Sequence, residues 1–365
     1  MKNRRSESSG QNDRIILGGG DLGSGDVHGN NIGHGSEGVY AAGGSRADWQ
    51  PTATLNSLRQ RAAMLARLRE FFSERGVLEV ETPTLSASAV SDPQIESLAT
   101  QIAGMSGRFY LSTSPEYPMK RLLASGSGDI YQVCKVFRDE ERGRWHNPEF
   151  TMIEWYRLGF DDAVLMAEVE GLVASLLAPH RRLAPAERLT YAEGLRRHAG
   201  VEAHTDSEAV LERAAADHGI VCKAELDRDA KLDLLMGLVV GPKLGVDRPC
   251  FICDYPASQA SLARLKPGLP AVAARFEFYI DGIELANGFH ELVNADEQRG
   301  RFTRDSDTRR ARGQVEPPVD ERLLAALAAG MPDCAGVALG FDRLVAIALR
   351  AARLSEAMAF SIDNA

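Results

Sequence analysis

Val136 to Arg157, VFRDEERGRWHNPEFTMIEWYR, combines charged, aromatic and apolar side chains at a spacing that a plain core element does not use. Val136 and Phe137 are apolar, Arg138 to Arg142 is a run of mixed charge, Gly143 breaks it, and His146-Asn147-Pro148-Glu149 is a loop signal. Alternation from Phe150 to Trp155 predicts a half-buried strand, so the stretch reads as two antiparallel strands joined by a long charged loop. Arg138 at the end of one strand and Phe150 on the other would clamp a phosphate and a flat ring. On its own the stretch fits an ordinary solvated hairpin equally well. Glu277, Glu284 and Glu291 recur every seven residues around a second expected hairpin, whose turn is Asp281-Gly282. If the turns are tight, several of these acids converge on one sheet face. The segment GVALGFDR, from Gly336 to Arg343, ends a strand with small residues and puts Arg343 in the first turn of a helix. That setting suits phosphate. Carboxylates able to bind magnesium, beside two arginines, are the groups that phosphoryl or nucleotidyl transfer requires.

The elements that must position these groups are legible from about Thr54 onward. Leu58, Ala62, Leu65, Leu68 and Phe72 recur at helical spacing, and Gly76 stands where a C-cap glycine belongs. Val77 to Glu81 reads as a short strand stopped by Pro83. Ser112-Thr-Ser-Pro-Glu-Tyr117 ends another strand and leads into a helix through Ala124. Asp161 to Leu177 is an amphipathic helix, and residues 179–250 are Ala-rich and mostly helical, a packing insertion without evident chemistry. Arg275 to Ile280 and Ile283 to Leu292 form the second hairpin, Val319 to Ala329 a helix, Cys334 to Leu339 a strand and Asp342 to Ala351 the last long helix. Arg299 to Arg312 carries six arginines among polar residues and reads as a mobile, solvated segment, or more sharply as a landing site for an acidic partner. Hairpins with interposed helices and no βαβ series predict an α+β fold with a mostly antiparallel sheet.

Composition narrows the class. The 365 residues are 44% hydrophobic and 25% charged, as in ordinary globular proteins, and 42 basic against 51 acidic residues give a net charge of −9. That argues against wholesale wrapping of nucleic acid. No apolar run is long enough for a membrane span, and the amino terminus has no signal-peptide core. Five cysteines, an odd number, suit reduced thiols in the cytoplasm. Cys250 and Cys253 form a lone CxxC in an apolar run, read as strand thiols and not a zinc site. Twelve of the 34 glycines fall in the first 50 residues, so residues 1–52 are expected to be a disordered tail. The GxGxxG match at 18–23 is not followed by a helix and carries no dinucleotide site.

These segments, in this order, resemble the class II aminoacyl-tRNA synthetases, and specifically the lysyl branch. FRDEE with HNPEFTMIEWY is similar to motif 2, GVALGFDR to motif 3, and the helix and strand ending at Pro83 to the dimer-forming motif 1. The resemblance spans about residues 55 to 363 and implies a six- or seven-stranded antiparallel sheet flanked by helices, in a homodimer. STSPEYPMKRLL, HNPEFTMIEWYR, GIELANGFHEL and GVALGFDRL look more closely like the family of elongation factor P–(R)-β-lysine ligases, truncated paralogues of lysyl-tRNA synthetase. Residues 53–365 would then be one catalytic domain, with 179–250 inserted and no anticodon-binding OB domain before it. Ala338 stands where the synthetase has Gly, which fits an altered amino-acid pocket, and Asp139 stands where the ligases usually have Asn.

The resemblance implies ATP as a substrate, Mg2+ as its companion and elongation factor P, not tRNA, as the acceptor of an activated β-lysine. Residue by residue, it implies that Arg138 holds the α-phosphate during attack and that Arg343 covers the adenine and reaches the γ-phosphate. Asp139, Glu140, His146, Asn147, Phe150, Leu285 and Gly340 would surround the nucleotide, and Glu277 and Glu284 would hold the metal. Ser114, Pro115, Glu116, Tyr156, Asn287, Glu291 and Ala338 would form the amino-acid pocket. Two rival readings remain open here: a minimal lysyl-tRNA synthetase that charges tRNA, and a non-catalytic paralogue that senses amino acids or adenylates.

Overall fold

Thr54 starts the first long helix, because its hydroxyl oxygen accepts a hydrogen bond from the Ser57 amide at 3.1 Å, and the helix α1 (Leu55–Ser73) buries Met64, Leu68, Phe71 and Phe72. Gly76, at φ +67°, lets the chain turn back so that the Val77 amide reaches the Phe72 carbonyl at 3.0 Å, the closure that a left-handed glycine permits at a helix end. The structure is a computed structural model and describes residues 15–16, 49–223 and 226–365. The GxGxxG match and nearly all of the expected glycine-rich tail lie outside the described residues. Within that tail, Ile15–Ile16 pairs in parallel with Ile220–Val221.

Nine strands make the main sheet. They are β1 (Leu78–Glu79), β2 (Ile130–Phe137), β3 (Glu149–Leu158), β4 (Glu187–Thr190), β5 (Cys250–Pro256), β6 (Leu265–Lys266), β7 (Val272–Ile280), β8 (Ile283–His290) and β9 (Cys334–Gly340). Their order is β1-β2-β3-β9-β8-β7-β5-β4, with β6 added against β7. The six long strands from β2 to β5 are antiparallel, as expected for the α+β class, and the short edges β1 and β4 join in parallel. A small second sheet brings Leu85–Ser86 and Ala99–Thr100 to either side of Phe109–Leu111, just before the helix α2 (Glu116–Ala124).

One face of the main sheet is core. Tyr131, Ile153, Trp155, Phe251, Phe276, Phe278, Ala286, Val337 and Leu339 pack there against α1, α3 (Asp162–Leu177) and a C-terminal helix of residues 341–349. Asp161 caps α3 by accepting from the Val164 amide at 2.8 Å, and Leu165, Val169, Leu172, Val173 and Leu176 bury one stripe of it. Among the described residues, helices cover the opposite face at its two ends. The helices α4 (Tyr191–Ala199), α5 (Glu208–Asp217) and α6 (Arg228–Leu235) pack on Cys250, Ile252, Tyr255 and Tyr279. Thus the helical stretch after residue 179 lies on the sheet and also supplies its edge strand β4. At the other end, α2, α7 (Ala295–Ala311) and α8 (Glu321–Gly330) enclose Ile130 and Tyr156. The CxxC thiols sit in β5 unpaired, Cys250 buried and Cys253 half-buried, and burial pushes both up to about 12.

The arginine-rich segment corrects its reading as a mobile, solvated stretch. It is helix α7, and two of its arginines point inward. Arg309 is 2% exposed and donates to the carbonyls of Ser91, Asp92 and Ile95 while its Nη1 lies 2.9 Å from the Glu96 carboxylate. Arg301 donates to the carbonyls of Ser261 and Ala263 at 2.6 and 2.7 Å. A guanidinium with five donors can satisfy several carbonyls at once, which is what makes this burial tolerable. The last described helix, α9 (Phe341–Leu349), returns the chain toward its beginning, where the Thr52 and Ala53 amides donate to the carbonyls of Ala359 and Met358 at 2.7 and 3.1 Å.

Candidate active site

Antiparallel partners share a face, so register places the site. Glu277, Asn287, Ala338, Glu154 and Gln132 form one row across β7, β8, β9, β3 and β2. The next row is Arg275, Phe289, Gly336, Tyr156 and Ile130. Glu284 shares this face with Asn287 through a bulge. Glu284 and Asn287 are three positions apart on β8 and would face opposite sides of a regular strand, but the register shifts between Phe278 and Tyr279, so that Glu284 opposes Tyr279 and Asn287 opposes Glu277. The bulge turns Leu285 into the core, 2% exposed, so only its backbone can border a nucleotide.

Three arginines and two glutamates gather at one end of the open face. Glu277 accepts from Arg275 and from the Tyr279 hydroxyl, both at 2.6 Å. Glu284 is pushed up to about 7 by burial and by the Glu277 charge, against the pull of Arg343, Arg275 and Arg138. Arg343, in the first turn of α9, donates to the carbonyls of Glu284 at 2.9 Å and Trp145 at 3.2 Å. Gly340 precedes it with its Cα hydrogens facing Arg343 and the Leu285 carbonyl. Arg138 lies 5.2 Å from the Phe150 ring centre, with Glu141 at 3.3 Å and only a long bond to the Thr113 carbonyl. Phe150 and Arg138 are thus a preformed stacking pair with accessible faces.

The loop between β2 and β3 is fastened from behind. Asn147 is buried, donates to the Glu149 carbonyl at 2.6 Å and accepts from the Ile362 amide at 3.0 Å, so its side chain is chiefly a tether for the C-terminal segment. Arg144 donates to the Ala352 carbonyl at 2.8 Å, and Arg142 pairs with Asp363. Asp139 and Glu140 are exposed at the loop tip, where Glu140 takes a left-handed backbone at φ +62° and its amide donates to Asp139. His146 stands between the arginines, and desolvation together with Arg343 and Arg138 holds its pKa below the usual value.

A second cluster lies at the other end of the face. Pro115 begins α2, and the Ser114 hydroxyl oxygen accepts from the Glu116 amide at 3.0 Å. Lys120, one turn on and 1% exposed, reaches Glu116 and Glu291 at 2.6 Å each. Ser114 and Tyr156 donate to the two oxygens of Glu154, both at 2.7 Å. Burial and Glu116 push Glu154 up to about 8, and burial pushes Glu291 up to about 7 despite Lys120. Gly336 makes this packing feasible. A Cβ there would stand 2.3 Å from the Tyr156 ring and 2.6 Å from the Glu291 carboxylate. Asn287 and Ala338 remain half-buried in the floor between the two clusters.

Comparison with known proteins fits this two-ended face. The family profile of tRNA synthetases class II (D, K and N) matches residues 46–364. The chain belongs to that family. Among its curated relatives, an elongation factor P–(R)-β-lysine ligase of Vibrio cholerae is 48% identical over 327 residues, covering 88% of this chain and 100% of that protein. Ligases of the same name from Edwardsiella ictaluri and Klebsiella pneumoniae are 50% and 49% identical over 325 residues, each covering 87% of this chain and 99% of theirs. The relatives carry the name of the ligase family that the four quoted segments resemble.

In this class II chain, register reveals residues that motif reading passed over. Glu154 has the same parity as Tyr156 on β3, Lys120 stands one helical turn beyond Glu116, and Arg275 lies two strand positions before Glu277. Each was signalled by periodicity from a residue already singled out. No described helix is long and apolar enough to cross a membrane. Among the described residues no three His, Cys, Asp or Glu side chains form a ready metal cage. Glu277 and Glu284 still suit Mg2+, which takes one or two protein carboxylates and completes its shell with phosphate oxygens and water. Burial and the neighbouring Glu277 raise Glu284, and a cation beside both carboxylates would oppose that shift.

Proposed function

We propose that this chain is an ATP-dependent ligase that activates (R)-β-lysine as its adenylate and transfers the acyl group to a lysine ε-amine of elongation factor P. The observation that carries the reading is the division of one sheet face. Arg138, Arg275 and Arg343 with Glu277 and Glu284 sit at one end, and half-buried Glu116 with buried Glu154 and Glu291 sits at the other. The first group matches a magnesium triphosphate, and the second matches cationic amines. The printed names of the relatives support the choice of acyl donor and acceptor.

Mechanistically, the adenine would lie on Phe150 with its phosphates directed toward Arg138 and Arg343. The amine pocket would hold the β-lysine so that its carboxylate oxygen meets the α-phosphorus in line. A new O–P bond forms as the bond to the β-phosphate bridging oxygen breaks, pyrophosphate leaves, and no protein nucleophile is needed. Arg138, already poised beside Phe150, stabilises the charge that grows on the α-phosphate. Mg2+ held by Glu277 and Glu284 would neutralise phosphate charge. The acceptor ε-amine then attacks the acyl carbon, AMP departs with the bonding pair, and the amine's proton passes to solvent. The chain would work in the cytoplasm as a homodimer.

The deciding experiment is amino-acid-dependent exchange of pyrophosphate into ATP with (R)-β-lysine and α-lysine side by side, followed by mass measurement of elongation factor P. Preference for the β isomer and a matching mass gain are expected. Preference for α-lysine with transfer to tRNA would overturn the reading, and so would an absence of exchange with either isomer.

A further inference from the structure

The helical insertion meets the phosphate-side acids through one residue. Tyr279 is 6% exposed, and its ring belongs to the core of the insertion with Leu195, Met236, Val239, Val240 and Leu244. Its hydroxyl donates to Oε2 of Glu277 at 2.6 Å, while Arg275 donates to Oε1 at 2.6 Å. The carboxylate is therefore fixed at both oxygens, and each oxygen keeps a lone pair for a further partner. We propose that Tyr279, clamped by Gly245 of the insertion, is a positioning residue that aims Glu277 at the magnesium of the bound nucleotide. The proposal rests on the ligase reading above and goes beyond it, because it gives residues 179–250 a part in the reaction.

The clamp is built from backbone. After α6 the chain makes a π turn (Met236–Val240) and a 3-10 turn (Gly241–Lys243), which bring Leu244 and Gly245 against the β7–β8 hairpin. The amides of Asp281 and Gly282, in the hairpin turn, donate to the carbonyls of Gly245 and Leu244 at 2.8 Å each. Gly245 has φ +70°, and a Cβ there would stand 2.4 Å from the Tyr279 carbonyl oxygen, so a residue without a side chain is what lets the loop lie this close. A Cβ at Gly241 would meet the edge of the Tyr279 ring at 3.7 Å. Asp281 is also paired with Arg181 at 2.9 Å, near the start of the insertion. Tyr279 stands at the register slip and opposes Glu284, so a shift of its backbone would disturb the setting of both acids.

Packing alone would be served by phenylalanine, the residue found at the core positions Phe251, Phe276 and Phe278 of the same strands. A buried hydroxyl needs an acceptor, and here the acceptor is a carboxylate, which makes the bond roughly twice as strong as a neutral one. The phenol orients the carboxylate without bringing a positive charge of its own, so it competes less with a divalent cation than a second arginine would. Removing a group that orients a ligating side chain typically lowers metal affinity by about 10- to 100-fold.

The test uses the full chain, Mn2+ as the probe and an ATP analogue with a methylene between its α- and β-phosphates, which cannot be cleaved there. Water-proton relaxation distinguishes Mn2+ held in the protein–nucleotide complex from Mn2+ on free nucleotide. Tyr279→Phe should weaken Mn2+ binding in that complex by about 10- to 100-fold and leave binding of the analogue in EDTA unchanged. A purely packing role would lower both or neither. Gly245→Ala should weaken Mn2+ binding as well, and adding Tyr279→Phe to it should do less than the product of the two single effects, because both act on one carboxylate. Tyr279→Phe decides alone if Gly245→Ala does not fold. Unchanged Mn2+ affinity in Tyr279→Phe overturns the proposal, and so does a matching loss of analogue binding without metal. A wild-type chain that collects no Mn2+ on the nucleotide overturns the ligase reading itself, a failure visible before any variant is made.

Discussion

Glu284 and Asn287, three positions apart on β8, face the same side of the sheet because the β7–β8 register slips by one residue between Phe278 and Tyr279. The slip leaves Glu284 opposite Tyr279 and Glu277 opposite Asn287, while Leu285 takes the core. Deleting Leu285 would make the hairpin regular, shortening by one residue the β8 segment between Glu284 and Asn287 and displacing the Glu284 carbonyl that Arg343 holds. Exchange activity should fall by at least about a hundredfold, comparable to the loss of a transition-state donor. Circular dichroism would establish that the sheet persists, and wild-type exchange in a folded deletion would contradict the bulge's role.

Arg138 should matter more to rate than to folding. It is half-buried, its tie to Thr113 is long, and its pairing with Glu141 is at 3.3 Å. Arg138→Ala is expected to cut pyrophosphate exchange by about 10²- to 10³-fold, the usual cost of losing a charge-stabilising donor. Its thermal midpoint should move little. Arg343→Ala should lower both quantities, because that guanidinium also holds the carbonyls of Glu284 and Trp145.

Gly336→Ala tests the packing behind the amine pocket. The added methyl would meet the Tyr156 ring and the Glu291 carboxylate at distances no Cβ tolerates. A destabilisation of about 1–3 kcal/mol, typical of overpacking, is expected in denaturant unfolding. KM for the amino acid should rise, since Tyr156 and Glu291 must both give way. Ala338, two positions along the same strand, sits half-buried in the floor opposite Glu154.

Stability of the ligand-free chain should fall as pH rises from about 5 to about 8. Glu154 is pushed up to about 8, and Glu284 and Glu291 to about 7. Between the unfolded carboxyl pKa, about 4.3, and those values, the folded state holds protons that the unfolded state has released, so the folded state loses ground with each pH step. Thermal melts across this range should show a declining midpoint, with a shallower slope in Glu154→Gln. A midpoint that rises over the whole interval would contradict the assigned protonation.

Helix α7 separates structural from exposed arginines. Arg309→Met should cost about 3–5 kcal/mol, as when one partner of a buried charged network is removed, measured by urea unfolding. Arg304 and Arg312 are exposed, so their reversal to Glu should change stability by less than about 0.5 kcal/mol. If α7 meets the acceptor protein, that double reversal slows transfer to elongation factor P and spares adenylate formation. Equal transfer rates would remove α7 from the acceptor surface.

Much of this architecture was open to sequence reasoning where signals were local. The hairpin of β2 and β3 declared itself by an apolar pair before a charged loop and alternation after it, and α3 by an apolar stripe behind a capping aspartate. The bulge in β8 had no such signal, because parity along the strand places Glu284 and Asn287 on opposite faces. Glu154 stands among apolar residues of β3, and only the cross-strand register brings Ser114, forty positions away, onto its oxygen. Arg309 misled for a related reason. Polar composition suggested solvent, whereas its partners are carbonyls more than two hundred positions distant.

The fastening of the loop by Asn147, Arg142 and Arg144 gives the last residues of the chain an unexpected vantage. Ile362 and Asp363 touch the back of the loop that carries Phe150's partner arginine. A dye placed on a cysteine introduced at Ala365 would therefore ride on that loop and report its settling as nucleotide arrives. An affinity tag fused at the same end would load the loop mechanically, so purification handles for kinetic work belong at the opposite end.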